Sequence, residues 1–382
     1  MKINTLLAAM VKRGASDGFI TSRAAPAIKV DGKIKAISRS SLSDEEARSL
    51  VFETMTADQQ AQFLREQECN YAIFSNDYGR FRASAFMQRG DCGLVLRRIK
   101  AEIPDIPELG LPPVVSKLAM DKRGLVMFVG GTGTGKSTSL ASMVAHRNRN
   151  SQGHILSIED PIEYIHEHAG CLITQREVGL DTESFEIGLR NALRQAPDVI
   201  LIGEVRTAET MAHALTFAET GHLCLCTLHA NNANQAIDRI LSFFPSERHT
   251  QVLMDLSLNL NAMIAQMLLP KAQGDGRVPV MEVLLNSPLI AEYIRTGQVH
   301  LIKEVMARST ELGMQTLDQS LLAKYSEGDI SAEEAIRCAD SANEVRLGIK
   351  MFDKRRGVNV DVSSSDLRTE AQPASPPINR TG

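Results

Sequence analysis

The spacing of apolar and polar side chains divides the chain into two regions with different patterns. Near the start, Ile3, Leu6 and Leu7 recur at helical spacing, whereas apolar and polar residues alternate over residues 79–87, as in a half-buried strand. A helix combined with strands of this kind is typical of a small α+β fold. We therefore predict an α+β domain over residues 1–100.

Turn and capping residues predict where elements of this domain begin. The dipeptide Asp31-Gly32 stands between two strand-like runs and predicts a two-residue hairpin. A Ser or Thr followed three residues later by Glu or Gln is typical of a helix start with a capping box. Two such pairs occur: Ser43 with Glu46, and Thr56 with Gln59.

From about residue 114 to 355, apolar strand-like runs alternate with helical patterns, as they do in a parallel α/β sheet. Four strands are predicted, over residues 125–129, 154–158, 199–202 and 223–228. The chain after about residue 285 has a helical pattern. This second region is therefore predicted to be an α/β domain with a helical C-terminal part.

Two segments have neither pattern. Prolines at 104, 107, 112 and 113 resist helix and sheet, so residues 101–113 are predicted to form an interdomain linker. Residues 356–382 are polar and rich in Ser and Pro, which predicts a disordered tail.

Composition favours a two-domain protein of the cytosol. The 382 residues are 43% hydrophobic and 23% charged, and the net charge of -4 gives no overall attraction to nucleic acid or anionic lipid. The six scattered cysteines are interpreted as reduced thiols. The start does not look like a signal peptide, and no apolar run reaches the roughly 18 residues of a membrane span. Membrane contact is therefore expected only through a partner.

The first chemical motif follows the strand predicted over residues 125–129. Residues 130–137 read GGTGTGKS and match the phosphate-binding pattern G-x-x-x-x-G-K-[ST], with a helical pattern after it. Backbone N–H groups and the helix N-terminus would surround phosphate oxygens, Lys136 would reach the β- and γ-phosphates, and Ser137 would ligate Mg²⁺. The predicted nucleotide-binding residues are Gly131, Thr132, Gly133, Thr134, Gly135, Lys136, Ser137, Thr138 and His229.

Carboxylates follow two other predicted strands. Glu204 comes after the apolar run 199–202, in the Walker B arrangement, and Glu163 lies shortly after the strand 154–158. Acids at the carboxyl ends of parallel strands project into the crevice where a nucleotide binds. We predict that Glu204 belongs to the Mg²⁺ shell and that Glu163 polarises the attacking water. For Glu159, a helix cap or a surface charge is a plausible alternative.

A possible metal site has a competing interpretation. His222, Cys224, Cys226 and His229 are all zinc-ligand types. However, their segment is apolar and strand-like, and cysteine in such a strand behaves as a small hydrophobe. We favour a core strand, with a histidine at its end that senses whether ATP or ADP is bound.

Arginines are concentrated in the second half of the first domain. Arg80 and Arg82 share a strand face, and Arg97 and Arg98 are near it in the predicted sheet. A solvated strand face is one interpretation. The other is arginine fingers, which neutralise charge in the transition state once the small domain closes over a nucleotide.

These motifs occur in an order that resembles the secretion-type ATPases of type IV pili, in the PilT/PilU retraction subgroup. Residues 158–163 look like the Asp box of that family, 194–206 like its Walker B region and 220–231 like its His box. Residues 313–318 are similar to its C-terminal stretch. The resemblance covers about residues 1–355.

The resemblance implies a PAS-like N-terminal domain, a RecA-like ATPase domain and a homo-hexameric ring. It implies hydrolysis of ATP with Mg²⁺ at the cytoplasmic base of a pilus, at the inner membrane, driving pilus retraction and twitching motility. The implied partners are an inner-membrane platform protein and a paralogous retraction ATPase. Residue by residue, it implies that Glu163 is catalytic, that Glu204 is the Walker B glutamate and that Arg80, Arg82 and Arg97 are the small-domain arginines.

Departures from the family pattern point to its accessory branch, PilU. The chain has no paired C-x-x-C units of the kind that form a zinc loop in the extension and type II secretion relatives. Residues 289–295 differ from the usual C-terminal sequence of the main retraction ATPase, Thr207 replaces a common Asp, and Thr134 replaces a common Ser.

Three alternatives remain at this point. A small-molecule kinase would need an acceptor pocket and a lid, and no segment reads as either. A ring subunit that binds nucleotide but hydrolyses it weakly, acting only with a partner ATPase, is compatible with the altered residues 289–295. A nucleic-acid translocase is disfavoured by the acidic charge and by the lack of Trp.

Overall fold

A computed structural model describes residues 2–30, 32–99 and 102–356. The predicted disordered tail lies outside these residues, except that Arg356 ends the last helix.

The N-terminal part is a six-stranded antiparallel sheet with three helices. The strands are β1 (Asp17–Thr21), β2 (Ala27–Val30), β3 (Lys33–Ala36), β4 (Glu68–Ser75), β5 (Gly79–Gln88) and β6 (Asp91–Arg98), in the order β3-β2-β1-β6-β5-β4. The helices are α1 (Ile3–Lys12), α2 (Asp44–Glu53) and α3 (Ala57–Glu66). Their apolar faces and one face of the sheet form a single core, in which Leu6, Phe63, Phe81 and Leu94 are fully buried.

Local sequence signals account for these elements. Both predicted capping boxes are confirmed: the Oγ of Ser43 accepts a hydrogen bond from Glu46 N at 3.1 Å, and Thr56 with Gln59 is arranged in the same way. The predicted hairpin is confirmed by the antiparallel pairing of β2 with β3, in which Val30 lies opposite Lys33. The alternation of β5 is also confirmed, because Phe81, Ala83 and Ala85 are buried and their neighbours are not.

The second part is built on a seven-stranded sheet. The strands are β7 (Gly124–Val129), β8 (Gly153–Glu159), β9 (Cys171–Glu177), β10 (Val199–Ile202), β11 (Leu223–Leu228), β12 (Leu260–Pro270) and β13 (Arg277–Leu285), in the order β13-β12-β7-β11-β10-β8-β9. All neighbours are parallel except β12 and β13. The four predicted strands are β7, β8, β10 and β11; sequence reasoning did not predict β9, β12 or β13.

Helices cover both faces of this sheet. They are α4 (Val114–Ala119), α5 (Lys136–Asn150), α6 (Phe185–Ala192), α7 (Ala208–Glu219), α8 (Ala233–Ser242) and α9 (His249–Asn259). Alternate residues of β7 point to opposite cores: Met127 packs with α7 and α8, whereas Phe128 packs with α4 and α5. Burial on both faces explains why β7, β10 and β11 are apolar throughout.

The C-terminal part is helical, as predicted. It contains α10 (Pro288–Arg295), α11 (Ile302–Arg308), α12 (Leu317–Glu327), α13 (Ala332–Arg337) and α14 (Ala342–Arg356). Short 3-10 helices occur at Leu193–Gln195, Ser246–Arg248, Val299–Leu301 and Thr310–Leu312. In the part of the chain that the structure describes, no helix combines the length and apolarity needed to cross a bilayer.

The proline-rich segment before α4 is packed against the second part. Ile106 and Leu111 are buried in the same core as Val126 and Phe128. The predicted linker is therefore, over its described residues 102–113, partly a component of the α/β core.

Candidate functional site

The phosphate-binding loop connects β7 to α5 at the carboxyl edge of the seven-stranded sheet. Gly130 allows the loop to lie against β12, because a Cβ there would be 2.6 Å from the backbone oxygen of Gln266 and 2.5 Å from the Oγ1 of Thr134. The first turn of α5 is fixed to the same strand, since Ser139 Oγ donates to Gln266 Oε1 at 2.8 Å. The loop is thus shaped by contacts with a strand that is distant in sequence.

Lys136 provides the positive charge inside this loop. Its side chain is buried, and its Nζ donates to the carbonyl oxygens of Gly130 and Gly131, both at 2.7 Å. Burial lowers the pKa of Lys136, and the nearby carboxylates of Glu204 and Glu163 partly offset this effect by raising the pKa. Both predicted acids therefore act electrostatically on this lysine.

Glu204 follows β10 and contacts two basic groups. Its Oε2 accepts a hydrogen bond from Arg206 Nη2 at 2.7 Å, and its Oε1 is 3.0 Å from His229 Nε2. His229 comes directly after β11, the strand beside β10. Adjacent parallel strands therefore bring the Walker B carboxylate and the predicted nucleotide-sensing histidine together.

Glu159 ends β8 and is not a helix cap or a surface charge, so the alternative interpretation of this residue was wrong. Its Oε1 accepts hydrogen bonds from Ser157 Oγ at 2.7 Å and from Gln175 Nε2 at 3.3 Å. Burial raises the pKa of Glu159 to about 7. Burial also lowers the pKa of His166, to about 4, so the imidazole beside this site is neutral near pH 7.

One cavity brings most of the predicted site together. It is lined by loop and α5 residues (Thr132, Gly133, Lys136, Ser137), by the carboxylates of Glu159, Glu163 and Glu204, and by Tyr164, His166, Arg206 and His229. Two cationic side chains, hydroxyl and carboxylate oxygens, and two histidines thus face the same space. This set can bind a polyphosphate and hold a hard cation through oxygen ligands.

The remaining loop residues lie around this cavity. Gly131 lines a shallow depression beside it, together with His229 and Asn231. Thr134 Oγ1 donates to the carbonyl oxygen of Gly131 at 3.0 Å, which closes the loop on itself. Thr138 lies in the first turn of α5, where its hydroxyl is 2.8 Å from the hydroxyl of Tyr164.

The structure does not bring the predicted arginine fingers into this cavity. Arg82 and Arg97 line a second cavity, which shares Pro161, Glu163 and Tyr164 with the first. Arg97 is also paired with Asp17 at 2.9 Å.

Arg80 points to a different acid. Its Nη2 is 4.0 Å from Glu177 Oε2, at the end of β9. Arg80 therefore approaches a carboxylate that accepts a hydrogen bond from the backbone N–H of Ile162, in the loop that carries Glu163.

The zinc interpretation of the β11 segment does not fit this geometry. Cys224 and Cys226 are buried in the apolar core, and burial raises the pKa of both thiols. His222 and His229 flank opposite ends of the strand. Within the described ranges, no group of three or more His, Cys, Asp or Glu side chains is arranged to hold a metal ion.

Sequence reasoning missed several residues of the site. Arg206 is two positions after Glu204 and Tyr164 directly follows Glu163, so both had a local signal. Gln175 and Gln266 had none, because both lie on strands that had not been predicted and their partners Tyr164 and Ser139 are distant in sequence.

Comparisons with known proteins show the family of the chain. The family model described as Type II/IV secretion system protein matches residues 2–337. The Type IV pilus ATPase PilU of Pseudomonas aeruginosa is 59% identical over 351 residues, which are 92% of this chain and 92% of that protein. The Type IV pilus retractation ATPase PilT of the same organism is 40% identical over 335 residues, covering 88% of this chain and 97% of that protein.

A solved structure shows the same likeness in three dimensions. The crystal structure of the pilus retraction motor PilT with bound ADP superposes with a TM-score of 0.85 at 38% identity, covering 91% of this chain and 99% of that chain. The likeness confirms the predicted fold class, a RecA-like core preceded by a smaller PAS-like α+β domain.

Proposed function

The chain belongs to the Type II/IV secretion system protein family, and from that premise we propose that it is an accessory motor ATPase that drives type IV pilus retraction and twitching motility. The observation that carries the proposal is the single cavity where the P-loop lysine meets three glutamates, one aspartate and two histidines. The small-molecule kinase alternative is not favoured, because ATP hydrolysis accounts for these residues without a pocket for a phosphate acceptor.

In the proposed reaction, each side chain has a separate task. Lys136 and the N–H groups of the loop bind the β- and γ-phosphates of ATP. Glu163 accepts a hydrogen bond from the attacking water and orients it towards the γ-phosphate. His229, held at 3.0 Å from Glu204, distinguishes ATP from ADP by its contact with the terminal phosphate.

The oxygen ligands in the cavity suit Mg²⁺, which prefers hard donors and keeps part of its water shell. Ser137 and Glu204 would hold it. When bound, the ion supplies charge neutralisation for the phosphate oxygens. Arg206, hydrogen-bonded to Glu204, fixes the carboxylate in place.

Arg80, Arg82 and Arg97 are proposed to contribute positive charge from the N-terminal part. Arg82 and Arg97 line the cavity that shares Glu163 with the nucleotide cavity. Closure of the small domain would move Arg82 and Arg97 towards the γ-phosphate, where a guanidinium stabilises the charge that develops during transfer. Release of phosphate would then reopen the domain and convert hydrolysis into rotation.

We further propose a homo-hexameric ring in the cytoplasm, docked at the inner membrane on a pilus platform protein. A paralogous retraction ATPase is the proposed partner, because the chain is similar to both PilU and PilT over most of its length.

The test is phosphate release from the purified protein with Mg²⁺ and ATP, measured for wild type, Glu163→Gln and Glu167→Gln. Glu167 is an exposed carboxylate in the same segment and serves as the matched control. We expect Glu163→Gln to lower kcat at least about 100-fold while nucleotide still binds, because only the water-orienting group is lost. Unchanged turnover in Glu163→Gln would remove Glu163 from the reaction.

A second candidate is a ring subunit that binds nucleotide and hydrolyses it only with its partner. The similarity to PilU, combined with the altered sequence of α10, favours this candidate. ATP binding without turnover in the isolated wild type, followed by turnover after a PilT-type ATPase is added, would support it.

A further inference from the structure

Glu163 is exposed, so its position is set by the backbone of the loop that carries it. This loop, residues 160–166, leaves the sheet after β8 and returns along β9. Because reacting groups must be held in a narrow range of geometry, the contacts of this loop decide whether Glu163 can orient a water.

Gln175 on β9 holds the end of the loop with both of its amide atoms. Its Nε2 donates to the carbonyl oxygen of Tyr164 at 2.8 Å and also to Glu159 at 3.3 Å. Its Oε1 accepts from the backbone N–H of His166 at 2.8 Å. The residue after Glu163 and the residue three positions on are thus bound to one side chain.

Glu177, two residues further on the same strand, holds the loop before Glu163. Its Oε2 accepts a hydrogen bond from the backbone N–H of Ile162 at 3.3 Å. The carboxylate is 5% exposed, so the contact is shielded from water. The same Oε2 is the atom that Arg80 approaches to 4.0 Å from the N-terminal sheet.

We propose that Gln175 and Glu177 are positioning residues for Glu163, and that Glu177 couples the N-terminal domain to the loop through Arg80. The inference rests on the proposed function, since it assumes that Glu163 orients the attacking water. A shift of the N-terminal sheet relative to β9 changes the charge facing Glu177, and with it the strength of the bond to Ile162.

The direct test is hydrogen–deuterium exchange of backbone amides in the full-length protein. In Glu177→Leu we expect the Ile162 amide to exchange at least about fivefold faster than in wild type. In Gln175→Leu we expect the same of the His166 amide. In each variant the amide has lost its hydrogen-bond acceptor. Glu167→Leu, the same change at an exposed site nearby, should leave both amides unchanged. Unchanged exchange in Glu177→Leu and Gln175→Leu would overturn the proposal whether or not the protein hydrolyses ATP.

Steady-state kinetics then test the positioning role. We expect Gln175→Leu and Glu177→Leu to lower kcat about tenfold or more while KM for ATP changes less than about threefold. Glu177→Gln keeps an acceptor oxygen for Ile162, so its kcat should return to within about threefold of wild type. If Glu177→Gln lost as much kcat as Glu177→Leu, the proposed hydrogen bond to Ile162 would be contradicted.

A double-mutant cycle separates positioning from general stability. If Gln175 and Glu177 act through Glu163, adding Gln175→Leu or Glu177→Leu to Glu163→Gln should not lower its residual turnover further. Equal fold losses in both backgrounds would overturn the proposal. If instead Glu163→Gln retains wild-type turnover, the proposed function fails, while the exchange experiment still decides whether the loop is held as described.

The coupling to the N-terminal domain is tested by combining a variant of Arg80 with a variant of Glu177. Arg80→Gln should lower kcat by no more than the roughly threefold allowed for Glu177→Gln, since both remove the same charge pair, and it should add nothing to the loss in Glu177→Leu. An arginine that touches the nucleotide directly would instead add its full loss to that of Glu177→Leu.

Discussion

At the scale of single residues, three glutamates share one cavity but have different surroundings. Glu204 contacts the guanidinium of Arg206 and the imidazole of His229. Glu159 is half-buried, and Glu163 is exposed. Burial disfavours the ionised form of a carboxylate, and it raises the pKa of Glu159. The site therefore contains one paired carboxylate, one that changes charge near neutral pH and one in contact with solvent.

The raised pKa of Glu159 makes stability depend on pH in a defined direction. The folded-state pKa is about 7, against an ordinary value of 4.5. Between these values the folded protein binds a proton that the unfolded chain has released, so the free energy of unfolding falls as the pH rises through this interval. Glu159→Gln cannot titrate and should lack this dependence.

The measurement is urea unfolding without nucleotide at about pH 5 and about pH 8. As the pH rises from about 5 to about 8, we expect the free energy of unfolding of wild type to fall by about 1–3 kcal/mol relative to that of Glu159→Gln. Glu167→Gln, which removes an exposed carboxylate, should follow wild type. A constant difference between wild type and Glu159→Gln at both pH values would show that Glu159 does not titrate in this range.

Residues of the site could be predicted where chemistry and spacing are local. Lys136 and Ser137 belong to a contiguous motif, and Glu204 follows an apolar strand. Gln175 and Gln266 could not be identified in this way. Each contacts backbone or side chains that only the folded sheet brings near, and a lone glutamine carries no pattern of its own.

At the scale of elements, a strand could be predicted where the pattern of its apolar run differs clearly from that of a helix. The strands β7, β10 and β11 are short apolar runs bounded by polar residues, and all were predicted. The strand β12 has eleven residues and directly follows α9, so its apolar run gives no clear period or boundary. Helix starts were more certain, since a capping box is fixed by two residues at one spacing.

The cap of α7 gives a test at this scale. Thr207 Oγ1 accepts a hydrogen bond from Thr210 N at 3.2 Å at the start of that helix. Thr207→Ala should lower the free energy of unfolding by about 1 kcal/mol, because the N–H group loses its partner. Thr207→Asp keeps an acceptor and adds favourable charge at the helix N-terminus, so it should remain within about 0.5 kcal/mol of wild type.

Urea unfolding measures both variants through the midpoint at constant m-value. Thr216→Ala is the matched control, since Thr216 is exposed in the interior of the same helix. It should be neutral or slightly stabilising, because alanine has the higher helix propensity. Equal effects of Thr207→Ala and Thr216→Ala would show that the cap contributes nothing.

At the scale of the whole molecule, the two sheets meet at the loop that carries Glu163. Arg82 and Arg97 of the N-terminal sheet line a cavity with that loop, and Arg80 faces Glu177 behind it. The segment between the sheets packs Ile106 and Leu111 into the α/β core. This packed part of the segment therefore belongs to the α/β core.

This arrangement makes a prediction about which subunit supplies the arginines in the proposed ring. Because Arg82 and Arg97 face the Glu163 loop of their own chain, we expect them to act on the nucleotide bound by that chain. Two inactive proteins test this: Glu163→Gln, and a variant carrying R82A and R97A. In a mixed ring each chain would then have one defect at its own site, and no site would be complete.

Equal amounts of the two proteins are mixed, and subunit exchange is verified by co-purification through a tag on one of them. We expect turnover of the mixture to stay at the level of the separate variants. If the arginines acted on a neighbouring subunit, about a quarter of the sites would combine an intact Glu163 with intact arginines, and turnover would rise towards that fraction of wild type. Such recovery would contradict the assignment and place the arginines between subunits, whereas its absence after verified exchange supports closure of each N-terminal domain over its own nucleotide.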